Sequence, residues 1–203
     1  MTGPARPDFL LPERRERIDR AVAQRTRTLT VVLEAFCDPQ NVNAVLRTCE
    51  AFGIQEIHVI EGPMKAFERN RKISQNADKW LDLVRWKSSV ECLAHLRSRG
   101  FAIYATFLGE GTRPLGGLSF AGPVALVFGN ENRGVSPEAR TVADLTYAIP
   151  MRGLMQSLNV SVAVATAKEL VLSTSFDDTE TWTEPTHLAR PDRVEPLLGA
   201  LRP

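Results

Sequence analysis

The chain has 203 residues, 43% of them hydrophobic and 24% charged, and a net charge of +1, which argues against a disordered protein and suffices for one buried core without disulfides or a structural metal. Three cysteines (Cys37, Cys49, Cys92), odd in number and without CxxC spacing, exclude a disulfide framework and a zinc finger. No apolar run approaches the ~18 residues of a membrane span, so the expectation is a cytoplasmic protein with no membrane association.

Residues 1–30 hold seven arginines (Arg6, Arg14, Arg15, Arg17, Arg20, Arg25, Arg27) against four acids. Within them, residues 12–26 read as an amphipathic helix opened by Pro12, with Ile18 and Val22 as a sparse apolar stripe. Leu29–Leu33 reads as a buried strand, Val42–Phe52 as a helix ended by Gly53, and Ile54–Ile60 as a second strand. A polar connection to Trp80 belongs to a second basic stretch, residues 65–87, with seven Lys or Arg against three acids. Leu81–Trp86 reads as a short strand and Ser88–Arg99 as a helix stopped by Gly100. Phe101–Phe107, Val124–Phe128 and Leu145–Ile149 are further strands rich in β-formers. Ser157 to about Ser173 is apolar nearly all round and predicts a buried helix. The last 35 residues reverse the charge balance, with three arginines against seven acids.

Strands alternating with helices indicate an α/β fold with a mostly parallel sheet. Ligands of such sheets bind beyond the carboxyl ends of the strands. Several common catalysts are missing. Gly129-Asn130-Glu131-Asn132-Arg133-Gly134 starts like a P-loop, but Val135-Ser136 stands where Lys-Ser/Thr is required. No GxGxxG follows the first strand and there is no GxSxG elbow. His58, His95 and His187 lack metal-ligand spacing, so each reads as a structural histidine and no metal is expected.

Three segments carry the chemical signal. In Asn41-Val42-Asn43-Ala44-Val45-Leu46-Arg47-Thr48-Cys49, the apolar residues share one helical face and leave Asn43 and Arg47 on another, with Asn41 placed as the helix N-cap. In Val124 to Val135, a strand runs into a polar turn with a glycine at each end, and turn dihedrals do not account for Glu131. In Ile149 to Ser161, a polar loop enters an apolar helix, with Ser157 as a candidate cap. Polar groups buried at such a helix start need partners.

Together these segments resemble the motif set of the SPOUT superfamily of RNA methyltransferases, in particular its TrmH branch of tRNA (guanosine-2′-O)-methyltransferases. Lys79-Trp80 and Tyr104-Ala105-Thr106 match as well, so the likeness runs from about Arg14 to Leu172. It implies a sheet whose C-terminal part forms a deep trefoil knot, a homodimer, and S-adenosylmethionine as methyl donor. It divides the chain into a basic N-terminal helical extension (1–28), a methyltransferase domain (29–173) and a C-terminal extension (174–203).

By the same resemblance, Thr106, Gly129, Ile149 and Leu158 line the cofactor pocket, and Arg47 activates a ribose 2′-hydroxyl of a tRNA D-loop guanosine. A guanidinium is almost never deprotonated in a protein. Arg47 is therefore expected to hold a phosphate and stabilise the developing alkoxide, whether or not it takes the proton. Asn41 would position Arg47 or the substrate, while Glu131, Ser157 and Asn159 would order the loops and bind the nucleoside. Arg14, Arg15, Arg17 and Arg20, with Lys79, would meet RNA phosphates. The alternatives are 2′-O-methylation of ribosomal RNA and a catalytically silent, knotted RNA-binding protein.

Overall fold

The computed structural model describes residues 11–36, 38–61, 77–155 and 157–175. The loop around Arg69–Lys72 and the acidic C-terminal stretch lie outside the described residues. The elements are α1 (Pro12–Ala23), β1 (Leu29–Glu34), α2 (Pro39–Ala51), β2 (Glu56–Ile60), β3 (Asp82–Trp86), α3 (Ser89–Ser98), β4 (Ala102–Thr106), β5 (Arg113–Pro114), β6 (Val124–Phe128), α4 (Pro137–Val142), β7 (Leu145–Ala148) and α5 (Val160–Ser175). Short 3₁₀ turns at Ala77–Lys79 and Leu115–Gly117 precede β3 and β6.

The seven strands form one sheet in the order β3-β2-β1-β6-β4-β7-β5, and every pair is parallel. β1 sits near the middle and all six of its residues are buried, as a continuous apolar run in a sheet covered on both faces requires. Alternation divides the strands between two cores. Val31, Leu33, Ile57, Val59, Leu126 and Phe128 pack with Val42, Val45, Leu46 and Cys49 of α2 and with Val160, Val164 and Ala167 of α5. Val32, Ile60, Ala125 and Val127 pack on the other side with Cys92, Leu93 and Leu96 of α3 and Ala139 of α4.

Three local expectations change. The second helix starts earlier than Val42, because Asp38 caps it by accepting from Gln40 N at 2.8 Å and Pro39 takes the first helical position. Asn41 is therefore inside the first turn and not the cap. Asn43 is fully buried and donates to Pro39 O at 2.7 Å, so it does not share an exposed face with Arg47. The last helix starts at Val160 and buries one stripe, Val160, Val164, Ala167 and Lys168, while Val162 is 49% exposed. Apolar all round did not mean buried all round.

His58 is a structural histidine. It is fully buried, accepts at Nδ1 from the Trp86 indole N–H at 2.8 Å, and donates from Nε2 to Glu56 at 2.8 Å. An indole only donates, so the ring must be the Nε2–H tautomer.

α1 joins the sheet at its amino-terminal edge. Thr26 N donates to Gly53 O at 2.8 Å and Arg25 pairs with Glu50 at 3.0 Å. Gly53 is needed there twice over. Its φ is +71°, and a Cβ would stand 2.6 Å from Gln24 O.

Candidate active site

In a parallel sheet the carboxyl ends of all strands share one edge. Thr106 ends β4, Gly129 follows β6 and Ile149 follows β7, and these three strands are neighbours. The three predicted cofactor positions therefore stand side by side. Next to them a hollow of about 360 Å³ is lined by Leu108, Thr112, Ala148 and Pro150. It is shallow and open, with mostly apolar walls and with Arg113 also in its lining. Leu158 is 38% exposed, on the loop that enters α5.

Three of the predicted polar residues meet at the same edge. Asn41 Nδ2 donates to Glu131 Oε1 at 2.9 Å, and Asn159 Nδ2 donates to Asn41 Oδ1 at 3.0 Å. Asn159 Oδ1 accepts from Ser161 N at 2.9 Å and from Ser161 Oγ at 2.8 Å. Asn159, not Ser157, therefore caps α5. Both amide orientations follow from the ends of this relay. A carboxylate accepts only, so Asn41 must turn its amino group to Glu131, and a backbone N–H donates only, so Asn159 must turn its carbonyl to Ser161. The relay joins the start of α2, the loop after β6 and the start of α5.

Arg47 lies on α2, six residues beyond Asn41, a rise of about 9 Å along the helix. It is exposed, and no side-chain partner is found for it among the described residues. Ser157 is exposed on the loop two residues before Asn159.

The loop after β6 is closely folded. A Cβ on Gly129 would stand 2.1 Å from Gly134 C and from Val135 N, so only glycine fits. Asn130 is 5% exposed; its Oδ1 accepts from Asn132 N at 2.9 Å and Arg133 N at 3.1 Å, while its Nδ2 donates to Ala35 O at 2.7 Å. Sequence reading overlooked Asn130 as an anchor, although Asn two residues into a turn is a known signal. It also overlooked Glu34, for which a strand-like segment offers no signal.

These segments, brought together with this geometry, correspond to a family. Residues 28–168 match the SpoU rRNA Methylase family. The chain is a member of that family.

Its curated relatives include the tRNA (guanosine(18)-2′-O)-methyltransferase of Thermus thermophilus, 41% identical over 152 residues, covering 75% of this chain and 78% of that protein. The enzyme of the same name from Escherichia coli is 33% identical over 154 residues, covering 76% and 67%. Among solved structures, the TrmH/SpoU tRNA modifying enzyme of A. aeolicus superposes with a TM-score of 0.81 at 29% identity, covering 93% of this chain and 94% of that one.

The predicted RNA contacts lie elsewhere on this SpoU methylase. Arg14 and Arg17 of α1 line a groove of about 630 Å³ with Ile18, Arg25, Glu50 and Trp80, and Lys79 is exposed beside it. Burial lowers the pKa of Arg25, with Glu50 opposing the shift. Arg15 and Arg20 are also exposed on α1, and Arg20 pairs with Glu16 at 2.8 Å. This groove adjoins the end of α2 and the start of β3. It is thus at the opposite edge of the sheet from the Glu131–Asn41–Asn159 relay, separated by the length of a strand, about 20 Å for six residues.

Proposed function

We propose that this chain transfers a methyl group from S-adenosylmethionine to the 2′-hydroxyl of a tRNA guanosine in the D-loop. The observation that carries the reading is the relay from Glu131 through Asn41 to Asn159, which links the three motif segments and leaves Arg47 exposed on the same helix. The relatives named for tRNA guanosine-18 2′-O-methylation support the tRNA substrate.

The strand-edge residues fit the cofactor. The hollow flanking Ile149, between Ala148 and Pro150, has mostly apolar walls with Thr112 and Arg113 as its polar lining. Backbone groups at such an edge can orient an adenine while apolar side chains exclude water. S-adenosylmethionine supplies an electrophilic methyl on a sulfonium. What remains for the protein is to place and activate a weak nucleophile.

Arg47 performs that task by binding a phosphate next to the target ribose and by offsetting negative charge as the oxygen attacks. As the O–CH3 bond forms and the S–CH3 bond breaks, the hydroxyl proton leaves to Arg47, to the phosphate it holds or to water, and the electrostatic role of Arg47 is the same in each case. Asn41, held from both sides, orients the start of the Arg47 helix. Glu131, Ser157 and Asn159 order the two loops around the nucleoside. Arg14, Arg15, Arg17, Arg20 and Lys79 bind the RNA backbone away from the reacting ribose.

The working unit in this reading is a cytoplasmic homodimer whose C-terminal part, from β6 through α5, forms the trefoil knot. Leu154 and Met155, 102% and 72% exposed, stand on the loop before α5, and Val162 adds to them on α5 itself. Large apolar side chains this open call for a protein surface to cover them.

The deciding experiment incubates the protein with labelled S-adenosylmethionine and unmodified tRNA or ribosomal RNA, then identifies the nucleoside. The expected product is 2′-O-methylguanosine from tRNA. Label in ribosomal RNA alone moves the substrate, and no label in either overturns the enzymatic reading.

A further inference from the structure

Glu34 is the last residue of β1 and is 3% exposed. A carboxylate this buried is costly unless donors surround it. Its Oε2 accepts from Ser136 N at 2.8 Å, and its Oε1 accepts from Ser136 Oγ at 2.7 Å and from Ser89 Oγ. Ser136 caps α4, accepting from Ala139 N at 3.1 Å, and Ser89 is the first residue of α3. The carboxylate therefore also faces the positive ends of two helices.

The other end of the same loop is tied to the same strand. Asn130 holds the carbonyl of Ala35, the residue after Glu34, and Ala35 has a φ of +53°. Residues 130 and 136 are both fastened to the end of β1, and residues 131–134 between them are exposed. Glu131 is in that span and reaches Asn41. An apolar side chain at position 34 would fill the space but leave the Ser136 N–H without its acceptor.

We propose that Glu34 is a positioning residue, a clasp that fixes the loop after β6 at the height where Glu131 meets Asn41. It touches neither cofactor nor RNA and acts through Ser136. The claim rests on the reading of this strand edge as the methyl-transfer site.

Glu34→Gln keeps the volume but removes the charge and replaces one acceptor oxygen with an amino group, so that the Ser136 and Ser89 hydroxyls must turn from donating to accepting and the charge-assisted bonds of the clasp are lost. Its kcat on tRNA is expected to fall by about tenfold or more, with KM for tRNA within about twofold. Tm should shift by only a few degrees. Hydrogen exchange should quicken in the peptide covering 129–136 and stay unchanged in β1 and β6. Ser89→Ala, which leaves Ser136 clasped, should retain near wild-type kcat.

The proposal is overturned if Glu34→Gln keeps both kcat and loop exchange within about twofold of wild type. It is also overturned if exchange rises across the whole sheet while kcat and Tm collapse together, or if Ser89→Ala loses as much activity as Glu34→Gln. A wild-type protein that methylates no RNA, with the loop still loosened in Glu34→Gln, sinks the functional reading and not the clasp. Normal wild-type turnover with an unaffected variant does the reverse.

Discussion

Asn159 donates to Asn41 at 3.0 Å across 118 residues of sequence, and the same side chain caps the helix that it precedes. The two roles use different atoms, Nδ2 for Asn41 and Oδ1 for the cap. They can therefore be separated by mutation.

Asn159→Asp keeps a good capping oxygen and removes the donor, placing a carboxylate opposite Asn41 Oδ1. Asp and Asn are about equal as caps, so Tm should move little. Activity should fall about tenfold or more as Asn41 loses its fixed orientation. Asn159→Ala should lose both, with about 1 kcal/mol of stability from the cap. Thermal melts alongside kcat for the two variants check this, and equal Tm losses in both would contradict it.

Arg47 is expected to act through its planar, doubly donating head. Arg47→Lys retains the charge and loses the fork. Single-turnover rates for this variant should drop by about a hundredfold, as when one donor to a developing oxyanion is removed, with S-adenosylmethionine affinity unchanged by calorimetry. Near-normal turnover would reduce Arg47 to a point charge.

The arginines of α1 should contribute to RNA affinity without touching chemistry, since they lie at the far edge of the sheet. Affinity for tRNA should fall steeply with salt. Each of Arg14→Ala and Arg17→Ala should lower the log–log slope by about 0.9, with kcat at saturating RNA retained. Fluorescence titrations at several salt concentrations measure the slope, and a flat dependence would remove α1 from the RNA interface.

Acid stability should depend on Glu56. Burial pushes its carboxyl up, but hydrogen bonds from His58 and Arg99 and the nearby Arg99 charge outweigh it and hold the pKa at about 2. A depressed pKa in the folded state stabilises above the unfolded value near 4.5, and this contribution is lost as pH falls from there towards 2. Glu56→Gln should thus lower Tm at pH 7 and narrow the gap to wild type near pH 3, which pH-dependent melts test directly. The network is at the amino-terminal edge of the sheet, so the pH profile of kcat should be unchanged.

Element types and order were legible along the chain because each depends on near neighbours. β-branched runs buried on both faces gave parallel strands, and Val124–Phe128 falls where its composition places it. Asp38-Pro39 contained the true helix start, a local signal that outweighs the more prominent Asn41. Asn43 and the exposed side of α5 were misjudged for a different reason. Helical periodicity reports which residues share a face, and the packing of the neighbouring elements decides whether that face is covered.

The sequence alone determined the α/β class, the motif residues and the candidates Arg47, Asn41, Glu131 and Asn159. Only the tertiary structure decided who holds whom. Asn41 finds one partner 90 residues away and another 118 away, and Glu34 closes on Ser136 across 102 residues. Those pairings depend on strand order, which brings β1, β6 and the starts of α2 and α5 to one edge. A side chain's hydrogen bonds are set within about 3 Å of space, a distance unrelated to its separation along the chain.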